Sequence, residues 1–429
     1  MLVPLRAILE ATDKYGYAQG AFNVNAVAQA KAAIEVHEMF RSPAILQGAD
    51  LANGFMGGRT DFMNATLEDK IKGAANIGAA VKKYGEASPI PVALHLDHGR
   101  NFESCKAAIA GGYTSVMIDG SSLPFEENIE LTREVVKYAH ERGVTVEAEL
   151  GVLAGVEDHV FSAGSTYTNP LDAVEFVKKT KVDALAISYG TMHGANKGKG
   201  AKLRKEIAIA TKECLRHEGL FCVLVSHGSS TVPQYIVKEI NALGGDIQNA
   251  YGIELAQLKE AAGCGIGKIN VDTDIRLAVT RNMKELFSSR PELQSSPSVG
   301  GIYKLLEEKR SAFDPRAPHH GYRDVWKRAR RGCGSHCGVH RAGCQGSGGN
   351  PDCGVRQRGQ GPPGGARDFG GDGRALPQSR NLKKKAAPAA GSPFRPRSTF
   401  RPLRSLLLLG AKALCPGPHS LLGFPSPAN

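Results

Sequence analysis

Three histidines, each followed directly by glycine, are the residues best suited to chemistry: His98 in "DHG", His193 in "MHG" and His227 in "SHG". Each comes at the end of an apolar, strand-like run. Three neutral imidazoles that leave one open position form a catalytic zinc arrangement, and imidazole also suits cobalt or iron. The glycine lets the backbone turn tightly behind the ligand. The pattern therefore predicts a catalytic metal site, with zinc as the first choice and Asp97 beside it as a general acid/base.

Two glycine-rich segments that contain these histidines predict an anion site. The segment "MHGANKGKGAKLR" (192–204) carries three lysines and an arginine, and "SHGSSTVP" (226–233) offers hydroxyls before a helix that opens at Pro233. Backbone N–H groups at such a helix start, with a lysine nearby, bind phosphate well. The predicted substrate is a phosphorylated compound with a carbonyl or hydroxyl directed at the metal.

The elements that must position these residues repeat along the chain. Eight short apolar runs, most of which end in polar residues or glycine, are predicted strands: 20–25, 43–50, 91–99, 114–121, 144–151, 183–190, 221–228 and 265–274. Amphipathic helical patterns lie between them, as at 25–40, 125–143 and 170–180. Alternating strands and helices predict an α/β fold with a parallel sheet, and eight such units fit a closed (β/α)8 TIM barrel, with an open doubly wound sheet as the alternative. In a barrel, the polar residues at the strand ends would meet around one site.

Charge and composition divide the chain near residue 316. Residues 317–429 hold 19 Lys and Arg against 4 Asp and Glu, a net charge of +15, whereas residues 1–316 hold 35 against 38, a net charge of −3, so the basic excess of the chain (+12) comes from the tail. Residues 1–316 are the predicted barrel domain. Residues 317–429 form a low-complexity, Gly/Pro/Arg-rich basic tail, interpreted as disordered or as the product of a wrong reading frame.

Other features bear on the compartment and on the remaining histidines. The four cysteines of residues 1–316 have no paired spacing, which predicts a reduced, cytoplasmic protein. The N-terminus lacks a signal-peptide pattern, and no apolar stretch is long enough to span a bilayer, so no membrane partner is expected. Three histidines in helical patterns, His37, His140 and His217, are expected to be solvated. His95 shares a strand face with Asp97 and is expected to orient a neighbouring side chain.

Six segments, taken together and in order, resemble the class II, metal-dependent fructose-1,6-bisphosphate aldolases: "ALHLDHG", "SVMIDGS", "VEAELGVLAGVED", "SYGTMHGANKG", "VSHGSS" and "GKINVDTDIRLA". The resemblance covers residues 1–316. It implies that His98, His193 and His227 bind zinc and that Asp97 exchanges a proton with the C4 hydroxyl. The implied reaction is the reversible cleavage of fructose 1,6-bisphosphate to dihydroxyacetone phosphate and glyceraldehyde 3-phosphate in glycolysis or gluconeogenesis, without a Schiff-base lysine.

The same resemblance implies roles for residues around the metal. Asp119 and Glu149 resemble carboxylates that line an alternative metal position, and Glu157 resembles a loop residue that handles the proton at C3. Arg276 resembles an arginine that reaches a substrate phosphate across a subunit interface, which implies a homo-oligomer, either a dimer or a tetramer. Residues matching the motifs for substrate, for phosphate and for a monovalent cation (Na⁺ or K⁺) are Asn25, Gly194, Lys197, Gly228, Ser230, Asn270, Asp272 and Thr273. Ser229 stands where the family has a second glycine.

Two other functions are compatible with the sequence. A tagatose-1,6-bisphosphate aldolase differs only in the stereochemistry of one hydroxyl, which these motifs do not distinguish. A non-catalytic protein whose basic tail binds nucleic acid would show strongly salt-dependent binding that is lost when residues 317–429 are removed. The aspartate and three histidines argue against that second function, and the nearly neutral charge of residues 1–316 gives no sign of a nucleic-acid partner.

Overall fold

Ten strands are present in the computed structural model, which describes residues 1–59, 62–153, 155–157, 160–162, 166–297 and 299–311. They are β1 (Gln19–Asn23), β2 (Ala44–Ala49), β3 (Val92–Gly99), β4 (Ser115–Ile118), β5 (Thr145–Leu150), β6 (Gly155–Glu157), β7 (Val160–Ser162), β8 (Ala184–Ile187), β9 (Val223–Ser226) and β10 (Ile266–Val271). The predicted tail at 317–429 lies outside these residues.

Eight of these strands are parallel and close on themselves in the order β1-β10-β9-β8-β5-β4-β3-β2. All eight predicted strands are confirmed, and the closure excludes an open doubly wound sheet. The short strands β6 and β7 pair separately as an antiparallel hairpin. The fold is therefore a (β/α)8 barrel. Its mouth is the end at which the C-termini of the eight parallel strands lie.

Helices follow the strands along the chain and cover the barrel. In the described residues they are α1 (Leu5–Tyr15), α2 (Val27–Met39), α3 (Asp50–Met56), α4 (Leu67–Ala87), α5 (Phe102–Ala110), α6 (Phe125–His140), α7 (Pro170–Thr180), α8 (Lys205–His217), α9 (Gln234–Ala242), α10 (Leu255–Gly263), α11 (Thr273–Ser289) and α12 (Gly300–Glu308). None of the helices in these ranges combines the length and the apolar character that crossing a bilayer requires.

Local sequence explains where several of these helices begin. Helix α7 begins after Asn169, whose side chain accepts a hydrogen bond from the N–H of Leu171, with Pro170 in the first turn. Helix α4 begins with a capping box in which Thr66 and Asp69 each satisfy the other's backbone N–H. Such caps satisfy backbone groups that the helix leaves unpaired.

The barrel interior is apolar at one end and polar at the other. Helix α1 closes the end opposite the mouth, where Leu5, Ile8 and Leu9 pack against small and β-branched side chains of the strands. The polar end begins above this floor, with buried residues such as Gln47 and His95 on the strands. Buried polar groups need partners, so the residues near the mouth must form a network among themselves.

Candidate active site

Asp97 and His98 are consecutive residues near the end of β3, yet both reach the same cluster of side chains. In a regular strand, neighbouring side chains point to opposite faces. Here His98 has a φ of +48°, and the register of β3 against β4 shifts between Leu96 and Gly99. This irregularity re-aims His98, as bulges near active sites do. A left-handed conformation costs a non-glycine residue about 1–2 kcal/mol, and such strain is typical of functional positions.

The three histidines predicted as metal ligands lie side by side at the mouth. Nε2 of His98 is 3.0 Å from Nδ1 of His227, and the ring centroid of His193 is 5.2 Å from that of His98 and 6.4 Å from that of His227. In two of these rings, the outer nitrogen, which is the one that points away from the other imidazoles, contacts a carboxylate. Nδ1 of His98 is 3.0 Å from Asp119, and Nε2 of His227 is 2.7 Å from Glu147.

This donor set fits a divalent metal such as zinc. Two groups of side chains have ligand atoms within 4.8 Å of one another: Asp97 with His98 and His227, and His98 with Asp119 and Glu149. His193 belongs to neither group. Zinc–nitrogen bonds of about 2.05 Å place tetrahedral ligand atoms about 3.3 Å apart, close to the separation of the two facing imidazole nitrogens. Carboxylates on the outer nitrogens are the usual support of metal-binding histidines.

The carboxylates around His98 favour a positive charge at this end of the barrel. Burial lowers the pKa of His98, but the hydrogen bond with Asp119 and the charges of Asp97 and Glu149 outweigh it and hold that pKa well above its usual range. Burial raises the pKa of Asp119, but its contacts with His98 and Ser121 outweigh it and hold that pKa well below its usual range. The same carboxylates would stabilise a metal cation.

Both oxygens of the Asp97 carboxylate accept hydrogen bonds from amide side chains. Nδ2 of Asn23 donates to Oδ2 and Nδ2 of Asn270 donates to Oδ1, each at 3.0 Å. Gln47 in turn donates to Oδ1 of Asn23 at 2.8 Å. The candidate acid/base is therefore held from β1 on one side and from β10 on the other.

A second charged group lies deeper in the barrel. Glu147 and Lys268 are both fully buried and form an ion pair of 2.9 Å. Burial raises the pKa of Glu147, but Lys268 and the neighbouring histidines outweigh it and hold that pKa well below its usual range. His95 lies 3.5 Å from this carboxylate and bonds Ser115 at 2.8 Å, and burial together with Lys268 holds its pKa well below the usual range.

Sequence reasoning did not select Lys268, nor the link from Glu147 to His227. A signal was present, because a lysine in the middle of an apolar strand is unusual. Lys268 is two residues before Asn270 on β10, so both share the inward face of that strand. Only the closed barrel brings Glu147 opposite this face.

The loops after β8 and β9, predicted to bind phosphate, lie close together. Gly194 and Gly228 have φ values of +85° and +58°. A Cβ on Gly228 would lie 2.4 Å from the carbonyl oxygen of Met192, so only glycine permits this approach. Nζ of Lys197 donates to the same carbonyl oxygen. Ser229 points its hydroxyl at Ser226, at 2.7 Å.

The start of α11 completes this side of the site. Oγ of Ser230 accepts hydrogen bonds from the N–H groups of Asp272 and Thr273, at 3.2 and 3.1 Å. Asn25 donates to Asp272 at 3.0 Å. Arg276 is buried and forms an ion pair with Asp272 within the single chain. Every residue predicted for substrate or phosphate on these elements therefore lies in one region at the mouth.

Glu157 is placed by its backbone only. It lies at the end of β6, opposite Val160 of β7 in the hairpin register. Its side chain lies outside the described residues, so its role at C3 stays a prediction.

A closed (β/α)8 barrel with imidazoles and carboxylates gathered at its mouth defines an enzyme with a site suited to a divalent metal. Residues 3–330 match the family described as class-II fructose-bisphosphate aldolase, and the chain belongs to that family. The fructose-bisphosphate aldolase of Giardia intestinalis is 40% identical over 318 residues, which cover 73% of this chain and 93% of that protein.

Two further relatives agree with this membership. The fructose-bisphosphate aldolase of Thermus caldophilus is 40% identical over 296 residues, which cover 68% of this chain and 90% of that protein. Among solved structures, the YdjI aldolase from Escherichia coli K12 is 27% identical with a TM-score of 0.52, covering 77% of this chain and 97% of that one. The resemblance inferred from the six sequence segments is confirmed.

Proposed function

We propose that the chain is a zinc-dependent aldolase that reversibly cleaves fructose 1,6-bisphosphate to dihydroxyacetone phosphate and glyceraldehyde 3-phosphate, in glycolysis and gluconeogenesis. One observation carries the proposal: ligand atoms of Asp97, His98 and His227 lie within 4.8 Å of one another at the mouth. Carbon–carbon cleavage needs a proton acceptor and an electron sink at the same substrate. The family to which the chain belongs supports the choice of sugar bisphosphate.

His98, His193 and His227 would hold the metal, and Asp119 and Glu149 would line a second position for it. When bound, the ion supplies a Lewis acid that stabilises negative charge on the substrate's carbonyl oxygen. Asp119 occupies the outer nitrogen of the His98 ring, which leaves the inner nitrogen for the metal. The chain's own part in binding is thus to fix the orientation of its imidazoles.

Asp97 acts on the C4 hydroxyl in this proposal. In the cleavage direction its carboxylate accepts the hydroxyl proton while the C3–C4 bond breaks and the electron pair moves toward the C2 carbonyl. Asn23 and Asn270 keep the carboxylate from rotating away, since each holds one of its oxygens. Glu157 then delivers a proton to C3, which completes dihydroxyacetone phosphate.

The loops after β8 and β9 and the start of α11 would bind one phosphate, together with Na⁺ or K⁺. Glycine-rich loops next to the start of a helix are typical of anion sites. Residues proposed for the substrate, its phosphates and the cation are Asn25, Gly194, Lys197, Gly228, Ser230, Asn270, Asp272 and Thr273. Arg276 is proposed to serve the site of a neighbouring subunit in a dimer or tetramer, and the oligomer itself can be measured by analytical ultracentrifugation.

Chelation and metal replacement test the proposal. EDTA is expected to abolish cleavage of fructose 1,6-bisphosphate, and added zinc or cobalt to restore it. Tagatose 1,6-bisphosphate, assayed beside it, is expected to turn over more slowly. Borohydride with substrate should leave the enzyme active, because no lysine forms a Schiff base. Activity that survives EDTA, or borohydride inactivation that requires substrate, would overturn the mechanism.

A further inference from the structure

Lys268 lies in the middle of β10 and is fully buried. It lies between Glu147 on β5 and Asn270 on its own strand. Its Nζ donates to Oε2 of Glu147 at 2.9 Å and to Oδ1 of Asn270 at 2.8 Å. Lysine is almost never fully buried unless it is paired. Here it is paired with two side chains. The other oxygen of Glu147 contacts His227. The amide nitrogen of Asn270 contacts Asp97 and also lies 3.2 Å from Nε2 of His227.

The hydrogen bond from Lys268 to Glu147 connects the ammonium to His227, one of the proposed metal ligands. Oε1 of Glu147 lies 2.7 Å from Nε2 of His227. A hydrogen bond at one ring nitrogen selects the tautomer and leaves the other nitrogen for a metal. Because Lys268 holds Oε2, the Glu147 carboxylate is fixed at both oxygens and cannot turn away from the imidazole. Nδ1 of His227 is thereby directed toward His98.

The second contact leads to the acid/base. An asparagine amide fits its site in two orientations that exchange its oxygen and its nitrogen. An ammonium group only donates, so Lys268 selects the orientation that turns Oδ1 of Asn270 toward itself. Nδ2 then faces Asp97 and donates to Oδ1 of that carboxylate at 3.0 Å. The reverse orientation would set an amide oxygen against the carboxylate, with two acceptors facing each other.

We infer that Lys268 is a positioning residue that aligns the metal ligand His227 and the acid/base Asp97 at the same time, through Glu147 and Asn270. The inference rests on the proposed function. An ammonium that only neutralised the buried Glu147 would need no contact with Asn270. Loss of the ammonium is therefore expected to weaken metal binding and proton transfer together.

Lys268→Met, compared with Lys212→Met, tests the inference. Lys212 is also buried and also paired, with Asp13 at 2.7 Å and with a backbone carbonyl at 3.0 Å, but it contacts none of the side chains in this network. Zinc affinity, measured by competition with a chromophoric chelator, is expected to fall about 10–100-fold in Lys268→Met. The visible spectrum of the cobalt-substituted protein should change as well. Lys212→Met should lower only the thermal midpoint.

A double-mutant cycle separates the two contacts. Adding Lys268→Met to Glu147→Gln is expected to change zinc affinity little, because the shorter hydrogen bond that selects the His227 tautomer is made by Glu147. At saturating zinc it should lower kcat further, by about tenfold, because Asn270 has lost its donor. The double variant leaves no unpaired buried charge, so it carries the test even if Lys268→Met does not fold.

Two results would overturn the inference: unchanged zinc affinity and kcat in folded Lys268→Met, or a double variant whose kcat equals that of Glu147→Gln. A wild-type protein without zinc-dependent cleavage would instead defeat the proposed function. The wild-type assay therefore distinguishes the two failures.

Discussion

Asn23 holds Asp97 by a hydrogen bond of 3.0 Å from its Nδ2 to Oδ2 of the carboxylate, although the two residues belong to strands separated by β2. Asn270 holds the other oxygen at the same distance. Both amides donate to the carboxylate and neither offers it a proton acceptor, so in the proposed reaction Asp97 remains able to exchange a proton with the substrate.

Replacing Asp97 by alanine is expected to separate catalysis from metal binding. The change removes the proposed acid/base and leaves all three imidazoles in place, so kcat should fall by about 10²–10⁴-fold while the zinc content stays at the wild-type value. Elemental analysis beside steady-state kinetics measures both quantities. Since Asp97 also belongs to a group of ligand atoms within 4.8 Å, loss of zinc together with activity would show that it is a ligand instead.

Gly228 is expected to be indispensable for substrate binding, because both its conformation and its surroundings require glycine. A Cβ there would lie 2.4 Å from the Met192 carbonyl oxygen, whereas Gly219, with a similar φ of +65°, has nothing within 4 Å of that position. Alanine at Gly219 should lower the free energy of unfolding by about 1–2 kcal/mol, and alanine at Gly228 should lower it by more, because the clash adds to the backbone strain. Only Gly228→Ala should also raise KM for the bisphosphate, because it forces apart the loops after β8 and β9, which are proposed to bind phosphate.

Steady-state kinetics and urea unfolding of both glycine variants check this expectation. Gly219→Ala serves as the control for backbone strain alone. Equal KM values in the two variants would mean that the approach of Gly228 to Met192 does not shape the substrate site.

The barrel was predictable from the sequence because its strands are apolar runs of the right length that end in polar residues. The gathering of His98, His193 and His227 followed from the barrel, since parallel strands bring their ends to one mouth. The convergence of Asp97 and His98 did not follow. Regular alternation separates neighbours, and the shift in register against β4 arises from strand pairing that one segment does not encode.

Burial was the other property that local pattern did not reveal. His37, expected to be solvated on its helix, is buried, with Nδ1 2.7 Å from the carbonyl oxygen of Ala33 and its ring edge-on to Phe22. That expectation was wrong because α2 packs this turn against β1. Lys268 was passed over for a related reason, since its partner Glu147 is distant in sequence and meets it only inside the closed barrel.

Asp183 lies at the end of the barrel opposite the mouth, and we expect it to make the free energy of unfolding depend on pH in the acid range. It is buried just before β8 and accepts hydrogen bonds of 2.8 Å from Arg6, from His140 and from the N–H of Val146. Burial raises its pKa, but these contacts outweigh burial and lower the pKa from the ordinary 3.8. The carboxylate therefore stabilises the folded state above the unfolded pKa, and that stabilisation is lost as pH falls through the folded pKa.

Asp183→Asn should consequently lower the free energy of unfolding by about 1–3 kcal/mol at neutral pH. In the variant, the free energy of unfolding should also fall less steeply as pH is lowered below about 4, because asparagine does not take up a proton there as Asp183 does. Urea titrations at neutral pH and near pH 3 measure both effects, and zinc affinity at neutral pH should not change, because the mouth keeps all its contacts. A fall in the variant as steep as that of the wild type would show that other carboxylates, and not Asp183, set the acid sensitivity of this barrel.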